Sequence, residues 1–202
     1  MARPRRFDEE RLLACALEAF WQGGYDRTSI DDISSESGVG NGSIYAAYGS
    51  KLGLFLAVFS RYCDGRVELV ERSLGGSNGA PFSEAVERYL DDVVNDCTSH
   101  DDRRGCLMLN SLADLTGRFP EVLDLAQASI RRMEDAMAGR ARQAVDAGRL
   151  DLGSDPRAAE ALGAHVVLVS QGLIQLSRIG IEPSRLHGIA AAAAAAIRTR
   201  AA

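Results

Sequence analysis

The sequence is poor in the residues that metal centres, disulfide frameworks and nucleophilic sites need. Its three histidines, His100, His165 and His187, are far apart, and none has a metal-ligand spacing such as His-x-x-x-His. The four cysteines include no Cys-x-x-Cys pair, which argues against structural zinc and against a secreted disulfide framework. No phosphate loop, Gly-x-Ser-x-Gly elbow or dinucleotide fingerprint is present. We therefore expect that the protein is not an enzyme and that it has no cofactor and no metal site.

Uninterrupted apolar runs are also lacking. Polar and charged side chains interrupt the most hydrophobic segment, 158–179, at Glu160, His165, Gln171, Gln175 and Arg178. A bilayer core would penalise these side chains, so the segment is not expected to span a membrane. The N-terminus is charged and lacks the apolar stretch of a signal peptide. These features predict a cytoplasmic protein with no membrane partner.

Helical periodicity organises the first 50 residues. Apolar positions between Asp8 and Gln22 recur at helical spacing and stop at Gly23–Gly24. A second short helix follows, capped by Thr28 or Ser29, each of which has an aspartate three residues later. It ends near Gly38, and a third short helix between Gly38 and Lys51 exposes small and hydrogen-bonding side chains. This arrangement predicts a helix-turn-helix whose third helix can enter a DNA major groove.

Several motifs in this region occur together in a fixed order and spacing. They are Phe20–Tyr25 (FWQGGY), Thr28–Ile33 (TSIDDI), Gly38–Val39, Ser43–Tyr45 (SIY) and Ser50–Phe55 (SKLGLF). They resemble the N-terminal domain of the tetracycline-repressor (TetR) family of bacterial one-component regulators, over roughly residues 7 to 60. The resemblance implies an all-α protein with a DNA-binding domain at 1–50 and a ligand-binding and dimerisation domain at 51–202. It also implies a transcriptional repressor that a small molecule releases from a palindromic operator.

The recognition segment suggests which atoms would meet DNA. Backbone amides and hydroxyls near a helix start can hold a phosphate, and amide, hydroxyl and methyl groups can meet base edges. The resemblance implies phosphate contacts for Tyr45 and Lys51. We expect Ile44 to be buried, whereas Tyr48 could equally pack in the core or face DNA. The predicted DNA-binding residues are Arg3, Arg5, Arg6, Thr28, Ser29, Asn41, Gly42, Ser43, Tyr45, Ala46, Tyr48 and Lys51.

Net positive charge, usual in DNA-binding proteins, is missing. The formal charge is −5, and residues 1–51 contain six basic and eight acidic groups. Charge alone would not predict a nucleic-acid partner. Arg3, Arg5 and Arg6 nevertheless form a basic arm and Lys51 follows the recognition helix, so the positive potential can be local. The alternative for the arm is an ordinary basic tail.

The rest of the chain predicts six further helices and no strand. A long fourth helix runs from Ser50 to Ser73, a fifth covers Phe82–Cys97 and a sixth covers Gly105–Leu115. A seventh has an apolar stripe with 4-4-3-4-4-4 spacing: Val122, Ala126, Ile130, Met133, Met137, Ala141 and Val145. An eighth begins at Asp155–Pro156 and a ninth at Pro183. Together these segments predict an all-α fold of about nine helices.

The last two helices are rich in small residues, at Ala158–Ala159, Ala161, Gly163, Ala164 and Ala190–Ala196. Small side chains allow two helices to approach closely. Helix-turn-helix proteins usually bind two DNA half-sites as dimers, so we expect a homodimer that pairs through these two helices. The alternative is that the alanines only favour helix formation.

An effector pocket is expected among apolar residues of the later helices, with a few polar groups to orient the ligand. Few charged residues occur there, which predicts an uncharged or weakly polar effector. The candidate ligand-binding residues are Phe59, Tyr62, Tyr89, Val93, Met133, Met137, His165, Val167, Gln171 and Gln175.

Two alternatives to an effector-controlled repressor stay open at this point. Arg103, Arg104 and a helix start precede Cys106, an environment that lowers the pKa of a thiol, so Cys106 could sense oxidants or electrophiles. The segment Arg103–Leu107 also resembles part of the TetR family in which cysteines do this. Free cysteine is more often buried and structural. The second alternative is a helical ligand carrier that does not bind DNA.

Overall fold

The computed structural model describes residues 7–75 and 80–197, and in that part of the chain the regular elements are nine α-helices, as predicted. In chain order they are α1 (Glu9–Arg27), α2 (Ile30–Ser37), α3 (Asn41–Tyr48), α4 (Lys51–Leu74), α5 (Phe82–Thr98), α6 (Leu107–Leu115), α7 (Pro120–Asp146), α8 (Ala158–Arg178) and α9 (Pro183–Ala195).

The described residues form two compact units. The first unit comprises Met1–Cys63 and Leu107–Leu125, and the second comprises Asp64–Cys106 and Ala126–Ala202, each as far as it is described. The boundary predicted between residues 50 and 51 falls inside the first unit. Helices α4 and α7 each contribute residues to both units.

The first unit is built around the apolar face of α1. Leu12, Ala16 and Phe20, spaced by four residues, are fully buried. The Phe20 ring meets the Phe55 ring of α4 edge to face at 5.1 Å between centroids. The predicted stop at Gly23–Gly24 is a kink inside α1, because Gly24 adopts φ 75° and ψ 167°. Helix α6 packs on α1 within the same unit.

The second unit packs α5, α8 and α9 against one another. The inward stripe of α9 consists of Leu186, Ala190 and Ala194, each four residues apart and buried. On the other side, α8 approaches α7 closely, since a Cβ added to Gly163 would lie 2.6 Å from the Glu134 carbonyl oxygen. Helix α8 is long and apolar enough to cross a membrane by length and composition. Its packing against α5 and α9 is that of a core helix.

Several predicted helix starts differ from those observed. Helix α6 begins at Leu107 and not at Gly105, because Gly105 has φ 69°, outside the helical region. Helix α8 begins at Ala158, after a turn that contains Pro156. In the α7 stripe, Val145 is exposed and Ala144 is buried in its place, near the end of that helix.

Candidate nucleic-acid interface

The helix-turn-helix is held by local hydrogen bonds at the start of α2. The Ser29 hydroxyl accepts from the Asp32 N–H (3.0 Å) and donates to the Asp32 carboxylate (2.6 Å), while the Ser29 N–H donates back to that carboxylate (3.0 Å). These bonds make the capping box that the sequence predicted, and they hold the pKa of Asp32 below its usual range. Helix α2 ends at Gly38, whose φ of 75° turns the chain towards α3.

Helix α3 has one buried side and one exposed side. Ile44 is fully buried, as expected. Gly42, Ser43 and Ala46 are exposed, and the Tyr45 side chain is 49% exposed although it is large and aromatic. The exposed surface therefore offers hydroxyl groups, a methyl group and bare backbone, which are suitable for close approach to a DNA groove.

Asn41 begins α3 with its amide turned towards α2. The Asn41 side-chain NH₂ donates a short hydrogen bond to the Asp31 carboxylate. Within the described residues, the Asn41 Oδ1 atom is buried and has no donor. An unsatisfied buried acceptor costs free energy. For Asn41 to meet a base edge, its amide has to rotate away from Asp31.

Three predicted DNA contacts have hydroxyl groups that are used inside the protein. The buried Thr28 hydroxyl lies 2.8 Å from the Gly24 carbonyl oxygen and 3.0 Å from that of Ala19, so it faces the end of α1 and not a phosphate. The Ser29 hydroxyl serves the capping box. The half-buried Tyr48 donates to the Glu9 carboxylate at 2.8 Å and ties the end of α3 to the start of α1. In this structure the Thr28 and Ser29 hydroxyls therefore already have hydrogen-bond partners within the protein.

Lys51 lies beside an aromatic and acidic cluster that sequence patterns did not predict. Its Nζ atom is 4.4 Å from the centre of the Tyr25 ring and 3.4 Å from the Asp26 carbonyl oxygen. Arg118, in the turn between α6 and α7, pairs with the Asp26 carboxylate. No short motif indicated this contact, because 92 residues separate Arg118 from Asp26. The predicted basic arm, Arg3, Arg5 and Arg6, lies outside the described residues.

The predicted effector-binding residues do not all lie in one place: they are divided between the two units and between buried and exposed positions. Tyr89, Val93, Met133, Met137 and Val167 are buried in the second unit. His165 and Gln175 are exposed on the outer side of α8, and Gln171 is half-buried, which removes His165 and Gln175 as polar groups of an interior pocket. Phe59 and Tyr62 belong to the first unit, where they contact Phe55 and Trp21 with centroid distances of 5.6 and 5.1 Å.

A buried hydroxyl pair is the clearest polar feature inside the second unit. The Tyr89 hydroxyl donates to the Ser170 Oγ at 3.0 Å, and the Ser170 hydroxyl donates in turn to the Val167 carbonyl oxygen at 2.7 Å. Burial raises the pKa of Tyr89, so the phenol stays protonated and acts as a donor at neutral pH. Ser170 was not predicted, because an isolated serine in an apolar helix has no distinctive sequence pattern.

All four cysteines are present as thiols, and three of them are buried. Cys106 is only 3% exposed, and Cys63 and Cys97 are also buried. Burial raises the pKa of the Cys97 thiol, which disfavours the thiolate. In the parts of the chain that the structure describes, no group of three or more His, Cys, Asp or Glu side chains could hold a metal ion.

Known families match both the N-terminal and the C-terminal part of the chain. Residues 12–58 match the family described as bacterial regulatory proteins, tetR family, and residues 84–199 match the tetracyclin repressor-like C-terminal domain. The chain belongs to the TetR family. Members of this family are DNA-binding transcriptional regulators and not enzymes, so the prediction that the chain is not an enzyme is confirmed.

The chain is similar in sequence to individual members of the TetR family, and similar in structure to one that binds DNA. It is 26% identical to the transcriptional repressor BdcR of Escherichia coli, over 98% of this chain and 92% of BdcR. It is 35% identical to the repressor ComR of E. coli, over 61% of this chain and 57% of ComR. It is also similar to the structure of a cysteine mutant of the TetR-family regulator CifR in complex with a 26-bp operator DNA. That match has a TM-score of 0.82 and 26% identity, and it covers 98% of this chain and all of the CifR chain.

Proposed function

We propose that this TetR-family protein is a transcriptional repressor that binds an operator through the exposed side of α3. The observation that supports this most directly is the large exposed Tyr45, with Ser43 and Ala46, on a helix whose opposite side is fixed by buried Ile44. The names of ComR and BdcR as repressors, and the operator DNA in the CifR complex, support the same activity. The protein would act in the cytoplasm, where bacterial operators lie.

Selection of duplexes from a random library by the purified protein tests the proposal. We expect an inverted repeat in the recovered sequences. Tyr45→Phe and Lys51→Ala should then weaken binding to all sequences, since phosphate contacts carry no base information. Asn41→Ala should change discrimination among bases more than affinity. Failure of the wild-type protein to enrich any sequence would contradict the proposal.

The repressor is proposed to act as a homodimer that pairs the outer sides of α8 and α9. On α8, an exposed stripe with 4-3-4-3-4 spacing matches the period of a helix–helix seam: Ala161, His165, Leu168, Gly172, Gln175 and Ile179. Leu168 is 64% exposed and Ile179 74%, although both are large and apolar. The proposed seam omits several small residues that the sequence predicted for it. Ala159, Gly163, Ala190 and Ala194 are buried within the second unit.

A groove of about 550 Å³ opens beside this stripe, lined by Asp151, Leu152, Gly153, Leu162, His165, Ala193, Ala196 and Ile197. We expect a second copy of the chain to cover it. Leu168→Glu or Ala161→Glu should yield monomers in light scattering, because an unpaired carboxylate would have to be desolvated in the interface. Ala128→Glu, at an exposed alanine of α7, is the matched control and should stay dimeric. Dimers in all three variants would place the interface elsewhere.

Release from DNA is proposed to follow binding of an uncharged or weakly polar effector in the second unit. The buried set Tyr89, Val93, Met133, Met137 and Val167 supplies apolar walls, and the Tyr89–Ser170 hydroxyl pair supplies a polar group. A screen of neutral aromatic and aliphatic compounds for DNA release would identify a ligand. We then expect Tyr89→Ala to abolish release while free operator affinity is kept, whereas Gln127→Leu, at an exposed position of α7, still responds.

A further inference from the structure

Arg118 is held tightly against the end of α1 within the first unit. Its Nη1 atom lies 2.7 and 3.0 Å from the two oxygens of the Asp26 carboxylate. The guanidinium carbon is 5.1 Å from the centre of the Phe119 ring and 6.0 Å from that of Tyr25, and these two rings meet edge to face at 5.2 Å. Stacking on aromatic rings favours a guanidinium group over an ammonium group here. The contact therefore favours a position of the Arg118 guanidinium beside Asp26.

Lys51 lies on the same tyrosine ring but is held more loosely. Its ammonium nitrogen is 4.4 Å from the centre of the Tyr25 ring. Its distance of 3.4 Å to the Asp26 carbonyl oxygen is longer than a normal N–H···O hydrogen bond. A weak contact of this kind leaves the ammonium group able to turn to a stronger acceptor. The two candidates for that acceptor are a DNA phosphate and the Asp26 carboxylate.

We propose that Arg118 is a positioning residue for DNA binding, because it neutralises Asp26 and so leaves the Lys51 ammonium group available to a phosphate. The inference rests on the proposed function of Lys51 as a phosphate contact. Hydrogen bonds from Arg118 hold the pKa of Asp26 below its usual range, and the charges of Arg118 and Lys51 act in the same direction. Asp26 is therefore an anion at neutral pH. Without Arg118, that anion would attract Lys51 and repel DNA.

Operator affinity of charge variants tests this directly, with the full-length protein and a duplex recovered by the selection described above. We expect Arg118→Ala to weaken binding about fivefold, the factor that corresponds to a favourable exposed ion pair. The slope of log affinity against log salt should also fall by about 0.9, the value for one lost phosphate contact. Arg118→Lys keeps a positive charge beside Asp26 and should bind close to wild type.

The decisive variant is the double substitution R118A/D26N. When Asp26 is neutral, Lys51 has no anion beside it, so R118A/D26N should bind like the wild-type protein. D26N alone, which leaves the Arg118 charge unpaired, should bind at least as tightly as wild type. If the Arg118–Asp26 pair acts only by stabilising the fold, D26N should weaken DNA binding, and adding D26N to R118A should not restore it. Arg61→Ala is the matched control, since it breaks another exposed arginine–carboxylate pair of the first unit, with Glu10, and it should not alter affinity.

Two results would overturn the inference: wild-type affinity for R118A with a folded circular dichroism spectrum, or no recovery in the double variant. Both are distinct from failure of the proposed function, in which the wild-type protein itself selects no duplex. Thermal unfolding of each variant separates an effect on DNA binding from an effect on folding.

Discussion

At the scale of single residues, glycines set the geometry of the turn that joins α3 to α4. Gly49 has φ 76°, and a Cβ added to Gly53 would lie 2.0 Å from the Tyr48 carbonyl oxygen. Real Cβ atoms do not approach other atoms so closely, so the first turn of α4 reaches the end of α3 only with glycine at position 53. The Ser50 hydroxyl accepts from the Gly53 N–H at 3.0 Å and closes that turn. The turn places Tyr45 and Lys51, the two expected phosphate contacts, on adjacent helices.

Gly53→Ala should therefore lower the free energy of unfolding, by about 1–3 kcal/mol, the usual cost of a side chain forced into a packed site. Gly65→Ala in the same helix is the control, because a Cβ there meets nothing within 4 Å. It should be neutral or stabilising by up to about 1 kcal/mol through helix propensity. Urea unfolding followed by circular dichroism measures both. Equal midpoints for the two variants would show that the α3–α4 turn adjusts without cost.

At the scale of elements, α2 depends on its cap more than on its length. It has only eight residues, which is short for a helix in water, and its buried contacts are Ile30, Ile33 and Ser37. The capping box satisfies amide groups at its start, and Gly38 ends it. Because α2 packs against α3, loss of the cap should destabilise the whole helix-turn-helix.

Ser29→Ala should cost about 1 kcal/mol of stability near neutral pH, as is typical for loss of an N-cap hydroxyl. The effect should depend on pH. The folded-state pKa of Asp32 is lowered, so its contribution is present above the unfolded value of about 3.9 and is lost as the pH falls through the lower folded value. The difference between wild type and S29A in urea unfolding should thus shrink below about pH 4. Ser35→Ala, at an exposed position of α2, is the control. A difference that is constant with pH would exclude Asp32 as the partner.

The sequence predicts the bounds of the helices better than it predicts which side of each helix faces the interior. Helices with one apolar face, such as α5, were predicted within a residue of their observed ends. The orientation of α8 was not, because apolar residues occupy both of its sides. Val167 and Ser170 face the interior whereas Leu168 faces outwards, and periodicity alone does not say which side is which. His165 and Gln175 were misplaced for this reason. The Arg118–Asp26 pair was missed because it joins residues far apart in the chain.

At the scale of the whole molecule, the charge balance has to be reconciled with DNA binding. The net charge is −5, so bulk electrostatics repels DNA. Within the first unit, Arg61 pairs with Glu10 and Arg118 pairs with Asp26, which removes these arginines from the positive potential that DNA would meet. The attraction has to come from other, local basic groups, which we propose include Lys51 and the basic arm. A protein of this kind should neutralise few phosphates per subunit and should show a correspondingly shallow dependence on salt.

Removal of residues 2–6 should make that dependence shallower still. Arg3, Arg5 and Arg6 would each release counterions if they contact phosphates, so the slope of log affinity against log salt should fall by up to about 2.7 per subunit. The control is removal of residues 198–202, which deletes Arg198 and Arg200 from the other end of the chain. If only net charge mattered, both truncations would reduce affinity and slope, in proportion to the three and two arginines that they delete, because screening acts on the total field. If the arm contacts phosphates, only the N-terminal truncation changes the slope. An unchanged slope after loss of residues 2–6 would identify the arm as an ordinary basic tail.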